Sequence, residues 1–567
     1  MLGSISRSAP PERLPVAVKS LSGAAFVSML RSGAANLDAN HKVVNDLNVF
    51  PVPDGDTGDN MSMTINSAAL DEALNDSLSL EKSSEIIAKD MLLGARGNSG
   101  VILSRMFKGL SLGFEGKVTA TLEDLNDAFH SAVREAYAAV SEPVEGTILT
   151  VLKDSVRFAS GNLSENSTFE SYFDDFNSEL KRSLDRTPEL LPKLKEAGVV
   201  DSGGVGLAYI FEGFEAALSG DPILPKSKHS SLEPAKDLDI SLFTENSVLE
   251  YGYCTELIIR LQTSKISLND FDMDSFVEYL NTIGNSVVAF REDSIVKIHV
   301  HTKTPGKLLS HCQSFGEFLK VKIENMTLQH NATEPRPTFV PKSIRPHKSY
   351  ALVAVAAGDG IKSTFEQLGV DVLIDGGQTM NPSTNDFLRA FDELDADHIL
   401  VYPNNKNIIL SAEQAANLYE KSDVIVVPTK SIGDAYMAIS QLDTSSSDTV
   451  GILYDQQEII DSTTTAFVSK ASRTTSIKGI SISSGDYIGY IGDDILASDS
   501  GRESVLLSLA EKSLLSSHDL AILIYGSSVD EFTAKSMKKA LEKSAPMTEI
   551  VLLSGGQPVN DYIIILS

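Results

Sequence analysis

Cysteine is almost absent from these 567 residues: only Cys254 and Cys312 occur. Two thiols make no disulfide framework, which fits a reducing compartment and leads us to expect a cytoplasmic protein. Positive charge is also scarce, with 48 Lys and Arg against 77 Asp and Glu and a formal net charge of −29. That balance argues against nonspecific binding to nucleic acid or anionic membranes. Long hydrophobic runs are missing; "AILIY" and "YIIIL" fall far short of a membrane span. The opening "MLGSISRSAPPERLP" has no apolar signal-peptide core. No G-x-x-x-x-G-K-[ST] occurs, so this is not a P-loop enzyme.

What is present is a soluble composition, 42% hydrophobic and 22% charged, over a length that suggests about three or four domains. Residues 1–18 read as a flexible tail. From 19 to 220 apolar residues recur at three-to-four spacing, as in "LEKSSEIIAKDMLLGA" and "GLAYIFEGFEAAL", which predicts an all-helical domain. A Pro-, Ser- and Lys-containing linker at 221–245 separates it from a small α+β middle domain at 246–331. There "GYCTELIIRL", "SVVAFRED" and "IVKIHVHT" read as strands, and "LNDFDMDSFVEYLNTIG" and "PGKLLSHCQSFGEFL" as helices. After a linker at 332–349 carrying four prolines, strand and helix patterns alternate from 350 to 567. The expected fold there is α/β, with a parallel sheet covered on both faces and a later β-meander at "SIKGISISSGDYIGYIGDDILA".

The chemistry concentrates in "VFPVPDGDTGDNM", residues 49–61, which sets Asp54, Asp56 and Asp59 within a few positions of one another. Counted from Asp54, an EF-hand would need Gly at the place of Asp59 and Glu at the place of Ile65, so that reading fails. Two carboxylates flanking Gly55 repel each other unless a cation sits between them, yet Asp-Gly pairs are also common in turns. Spacing leaves both readings open. Gly55 and Gly58 would let a ligand approach the backbone closely.

Similar small-residue loops open helices elsewhere in the helical domain. They are Gly94, Gly97, Asn98, Ser99 and Gly100, then Asp201, Ser202, Gly203 and Gly204, and more mildly Gly146 and Thr147. Unpaired N–H groups and the positive dipole end at such helix starts suit phosphate, although glycines also serve tight helix–helix turns. Several such loops beside a carboxylate cluster suited to Mg²⁺ point to a nucleotide.

"NVFPVPDGDTGDNM", "GARGNSGVILS", "PVEGTILTV" and "VVDSGG" closely resemble the nucleotide-binding subunit of dihydroxyacetone kinases, and their longer wording resembles the bacterial fatty acid kinase A subunit. The resemblance covers nearly the whole chain. It implies a multidomain protein: an all-α, dihydroxyacetone kinase L-type barrel of eight helices holding ATP and Mg²⁺, the α+β middle domain, and a DegV-like α/β C-terminal domain. It makes Asp54 and Asp56 the catalytic Mg²⁺ ligands and puts Thr57, Gly58, Asp59 and Asn60 around the phosphates. Gly97, Asn98, Ser99 and Gly100 become the phosphate loop, and Gly146, Thr147, Asp201, Ser202 and Gly203 lie near the nucleotide. Arg186 is a weaker candidate for a nucleotide contact. Asp59 stands where relatives often have Thr, and we expect it to cap the helix or to support the metal ligands indirectly. Asn48 could supply a further oxygen on the metal side.

Two other constellations carry candidate chemistry. His299 and His301 alternate in "KIHVHT" and, with Cys254, could hold Zn²⁺ or nothing; the resemblance favours a metal there. Cys312 reads as a buried small residue. Gly376, Gly377, Gln378, Thr379, Asn404 and Asn405 follow strands of the last domain and either bind a ligand or simply turn the chain. The resemblance assigns that domain to contact with a separate fatty-acid-binding, DegV-type protein carrying the acyl substrate, and it implies a homodimer. The implied reaction transfers the γ-phosphate of ATP to a fatty acid carboxylate. The alternatives are a kinase acting on a small polyol and a non-catalytic nucleotide-binding regulator.

Overall fold

The computed structural model describes residues 20–47, 55–73, 78–140, 142–224, 253–266, 271–292, 294–325, 347–377, 380–444 and 448–567. The chain divides into two units: one joins 1–228 to 346–567, and the other is 229–345.

The first part of the larger unit is helical. A two-residue ladder pairs β1 (Leu21–Ser22) with β2 (Thr119–Ala120). The helices are α1 (Gly23–Asn45), α2 (Thr57–Ile65), α3 (Leu70–Ala73), α4 (Leu80–Gly94), α5 (Gly97–Gly113), α6 (Leu122–Ala138), α7 (Ile148–Gly161), α8 (Phe169–Leu190), α9 (Pro192–Ala197) and α10 (Ser202–Leu218). Side-chain oxygens of Ser22, Ser79, Thr121, Thr147, Thr168 and Asp201 cap the starts of α1, α4, α6, α7, α8 and α10. Asp56 and Arg96, which precede α2 and α5, make no such bond. Phe129, Phe173, Phe176, Phe211 and Phe214 form one buried aromatic cluster, with Phe176 and Phe211 centroids 4.5 Å apart. Helices α1 and α10 cross at glycines: a Cβ on Gly213 would lie 2.5 Å from the Gly33 Cα.

In the smaller unit, β3 (Tyr253–Leu261), α11 (Met273–Ile283), β4 (Asn285–Glu292), β5 (Ile295–Thr302), α12 (Pro305–Gln313) and β6 (Gly316–Asn325) form an antiparallel sheet ordered β4-β5-β3-β6, with two helices. Its core includes Leu257, Ile259, Phe276, Val300 and Cys312, the last fully buried as expected. One expectation fails here. "PGKLLSHCQSFGEFL" is not one helix, because α12 stops at Gln313 and "GEFL" starts strand β6.

The second part of the larger unit contains a parallel sheet and a mainly antiparallel one. β7 (Lys348–Ala356), α13 (Asp359–Gln367), β8 (Val372–Asp375), α14 (Thr384–Asp392), β9 (Ala396–Tyr402), α15 (Ile409–Leu418) and β10 (Asp423–Val426) give the parallel sheet, ordered β10-β9-β7-β8. Its strands read as continuous apolar runs because both faces are covered. Val353, Val355 and Val401 pack with Phe387 and Phe391, while Leu352, Leu400 and Tyr402 pack with Ile361 and Phe365. Helices α16 (Ile432–Ser440) and α17 (Thr449–Ser462) lead to β11 (Thr464–Lys470), then to β12 (Thr475–Ile477) paired with β13 (Ile480–Ile482) and β14 (Tyr487–Ile491) paired with β15 (Asp494–Asp499), and to α18 (Arg502–Lys512); in place of the expected single meander there are two hairpins in different sheets. β16 (Leu520–Tyr525), α19 (Glu531–Ser544), β17 (Glu549–Ser554) and β18 (Asn560–Leu566) complete a six-stranded sheet ordered β15-β14-β11-β18-β16-β17, in which only β16 and β17 run parallel.

Candidate functional site

The first turn of α2 is built by a neighbour. Asn45, at the end of α1, offers its Oδ1 to the N–H groups of Gly58 (2.7 Å) and Asp59 (3.2 Å). This side chain takes the part that an N-cap residue plays elsewhere, so the Asp56 carboxylate is not engaged in capping. Gly58 has a packing reason to be glycine: a Cβ there would lie 2.1 Å from the carbonyl oxygen of His41. The N–H groups of Gly58 and Asp59, expected around phosphate, are thus bonded to Asn45 of α1. Asp59 does not cap the helix either. Its carboxylate is half exposed and lies 3.7 Å from His41 Nε2.

Helix α5 starts differently. Arg96 provides no capping oxygen, and Gly97 has φ +59°, in the left-handed region that favours glycine. The Arg96 N–H donates to Thr64 Oγ1 at 3.2 Å, and a Cβ on Gly100 would lie 2.4 Å from that same oxygen, so the first turn of α5 lies against the last turn of α2. Asn60 is buried, and its Nδ2 lies 2.6 Å from where a Gly97 Cβ would be. With Asn98 and Ser99 in the opening turn, this is the helix N-terminus best suited to phosphate.

Helix α10 adds its own start. Ser202 Oγ donates to Thr57 Oγ1 at 3.3 Å, joining the α10 and α2 loops. Asp201 Oδ2 accepts from the Gly204 N–H at 2.7 Å, and Gly203 packs against Ile148. Burial pushes the Asp201 carboxyl up to about 6, against the opposing pull of the Gly204 and Ile148 N–H groups. Gly146 has φ +86° and packs on Leu190 and Leu191, while Thr147 caps α7. Arg186, half exposed, pairs with buried Glu179 (2.7 Å) and with Asp154 (3.3 Å), an ion-pair network on α7 and α8.

No sequence signal points to the group that meets Asp56 from the other side. Asn381, from the segment between β8 and α14, donates its Nδ2 to Asp56 Oδ2 at 2.7 Å. Its backbone carbonyl accepts from Arg96 Nη1 at 2.7 Å. Asn381 lies in "DGGQTMNPST", just before Pro382, but no spacing rule links it to a motif 325 residues away.

Oxygen donors of this kind fit a hard divalent cation. Asp56 presents a carboxylate, and the amide oxygens of Asn98 and Asn381 are buried without a hydrogen-bond partner. Among the described residues no three His, Cys, Asp or Glu gather as a metal group. Asp54 and Asn48 lie outside the described residues, as do the side chains of Cys254, His299 and His301. Backbone register sets Cys254 opposite His301 and Glu256 opposite His299, so these positions share one face of the sheet. Gln378 and Thr379 also lie outside the described residues, whereas Gly376, Gly377, Asn404 and Asn405 line a cavity of about 690 Å³. The Asn404 amide braces that cavity wall, donating to the Val355 carbonyl and accepting from Thr429 Oγ1. No described helix is long and apolar enough to cross a membrane.

The family model described as "DAK2 domain" matches residues 51–216. Two models of the FakA-like fatty acid kinase family match the rest, that of the middle domain over 250–333 and that of the C-terminal region over 351–567. Protein YloV of Bacillus subtilis (strain 168) is 35% identical over 563 residues, 97% of this chain and 100% of that protein. The uncharacterized protein SH1689 of Staphylococcus haemolyticus (strain JCSC1435) is 35% identical over 556 residues, 96% of this chain and 99% of its own length. Among solved structures, the C. freundii dihydroxyacetone kinase in complex with AMP-PNP and Mg²⁺ is similar over 39% of this chain and 37% of that one, at 21% identity and a TM-score of 0.27. A fatty-acid-binding DegV family protein from Thermus thermophilus is similar over 39% of this chain and 99% of its own, at 16% identity and a TM-score of 0.30. Scores so low carry no weight for fold or site. With family matches in all three regions and relatives aligned over nearly their whole length, the chain belongs to the FakA-like fatty acid kinase family.

Proposed function

We propose that this chain is the nucleotide-binding subunit of a fatty acid kinase. It would transfer the γ-phosphate of ATP to the carboxylate of a fatty acid presented by a separate DegV-type binding protein, giving an acyl phosphate. The observation that carries the reading is local: the Asp56 carboxylate, with Asn45 capping α2 in its place, stands beside the uncapped start of α5. A carboxylate for a cation beside N–H groups for an anion is what a metal–nucleotide needs. Family membership supports the acceptor class.

In this proposal residues 19–220 bind the nucleotide, 246–331 form the middle domain, and 350–567 form a DegV-like domain that receives the lipid-carrying partner. Asp54 and Asp56 would hold Mg²⁺, which when bound offsets the charge of the phosphate oxygens. The N–H groups of Gly97, Asn98 and Ser99 would orient the phosphates, with the bonded pair Thr57 and Ser202 at the starts of α2 and α10. A fatty acid carboxylate is already ionised at neutral pH, so no general base is required, unlike a polyol hydroxyl. The proposal needs no zinc. The test is ATP turnover with fatty acid, with and without the binding protein, and with dihydroxyacetone as the competing acceptor. Absence of acyl phosphate under all of these conditions rejects the proposal.

A further inference from the structure

The C-terminal half does more than sit beside the kinase half; it reaches into the carboxylate site. Residues 381–384 are fastened along the end of α4 and the start of α5. The Thr384 N–H donates to the Ala95 carbonyl (3.2 Å), Arg96 and Ser383 form an isolated β-bridge, and Arg96 also lies 3.6 Å from Asp386. Buried Gln414, on α15, bonds the Leu92 carbonyl (2.7 Å), Thr384 Oγ1 (3.1 Å) and Arg105 Nε (3.2 Å). These fastenings hold the Asn381 amide, 2% exposed, between Asp56 and Gly97.

The orientation of that amide is determined by chemistry. Turned the other way, its oxygen would face the Asp56 carboxylate, acceptor against acceptor. With Nδ2 on Asp56, the buried Oδ1 is left without a partner, as is Asn98 Oδ1. A buried acceptor left unsatisfied costs about 1–3 kcal/mol. Both orphans are acceptors, so a phosphate oxygen cannot satisfy either one. A cation can, and so can the protons of water bound to it.

We propose that Asn381 is a positioning residue of the metal–nucleotide site. Its Nδ2 fixes the Asp56 carboxylate, and its Oδ1 accepts from the hydration shell of the divalent cation that Asp56 holds. The phosphotransfer site is therefore composite, and the C-terminal half contributes a group to it. This rests on Asp56 belonging to a Mg–nucleotide site.

The test uses the full chain and a fluorescent, non-hydrolysable ATP analogue, titrated with Mg²⁺. Asn381→Ala should raise the Mg²⁺ concentration for half-maximal nucleotide binding about 10- to 100-fold, the range typical for a partner that orients a metal ligand. Its melting temperature without Mg²⁺ and nucleotide should change little. Arg105→Ala, which removes one bond to Gln414 but leaves its bonds to Leu92 and Thr384 and the Arg96 contacts that hold residues 381–384, should leave the Mg²⁺ dependence at the wild-type value. If Asn381→Ala does not fold, the near-isosteric Asn381→Asp replaces it; a second carboxylate facing Asp56 should then make the Mg²⁺ requirement strongly pH-dependent between about pH 5 and 8. An unchanged Mg²⁺ dependence in these Asn381 variants overturns the inference, as does an equal shift in Arg105→Ala. Failure of the wild-type chain to bind the Mg–nucleotide overturns the Asp56 assignment, and the role of Asn381 falls with it.

Discussion

Gly58→Ala separates packing from ligand approach at the centre of the site. Gly58 is the second residue of α2, and helix propensity alone would make alanine there more stable by about 1 kcal/mol. Packing predicts the opposite. The new Cβ would lie 2.1 Å from the His41 carbonyl oxygen and 2.9 Å from Asn45 Oδ1, closer than the 3.0 Å that real Cβ contacts keep. The first of these neighbours is backbone in α1, so α2 must retreat by roughly 1 Å. That retreat stretches the Asn45 bonds to Gly58 and Asp59, each contributing about 0.5–1.5 kcal/mol. Overpacking of this kind typically costs about 1–3 kcal/mol. Hydrogen exchange in α1 and α2 of the nucleotide-free chain reads local opening without assuming one two-state transition. Exchange there should quicken about 5- to 150-fold in the variant. Exchange as slow as wild type, with only nucleotide binding lost, would refute the packing argument and return Gly58 to the role of ligand cradle.

Three further outcomes follow from the proposed site and from packing. Asp54→Ala and Asp56→Ala should each abolish phosphoryl transfer while leaving the circular dichroism spectrum unchanged; near-wild-type turnover in either removes that residue from the metal set. Because burial raises the Asp201 carboxyl from 3.8 to about 6, the native state holds a proton that the unfolded chain has released between those values. The associated stability is complete below about pH 4 and is lost as pH rises through 6, so wild type minus Asp201→Asn should fall by up to about 3 kcal/mol across that window. A difference that stays flat with pH contradicts the burial argument. Phe211→Ala, in the fully buried aromatic cluster, should destabilise the helical part by about 3–5 kcal/mol in denaturant titration, and a loss under 1 kcal/mol would mean the cluster repacks around the gap.

Local chemistry is legible in the sequence wherever its cause lies within a few residues. The helical period of the first part and the doubly covered strands from β7 to β10 follow from side-chain repeats, and the structure contains both. The segment "SFGEFL" marks the limit. Leu308, Cys312 and Phe315 keep a helical spacing up to the break, while the strand signal in β6 lies beyond the segment that reads as helix. Gly58 stands out in its loop, but the packing that requires glycine there is not legible, because its neighbour in α1 cannot be inferred from that loop. Asn45 and Asn381 carry no local signature at all. An asparagine at a helix end and another before a proline are ordinary residues until the fold brings one to the Gly58 and Asp59 N–H groups and the other to Asp56.

The pairing of Asp56 with Asn381 spans 325 positions, with residues 229–345 belonging to another unit in between. On a ribosome adding about 5–20 residues per second, the asparagine emerges roughly 15 to 65 s after the aspartate. The helical part has time to fold in that interval, but the acceptor-lined wall of its site does not yet exist. If Asn381 completes the site as proposed, metal–nucleotide binding of full strength is a property of the finished chain, and a nascent or prematurely terminated product would carry the motifs without the complete site.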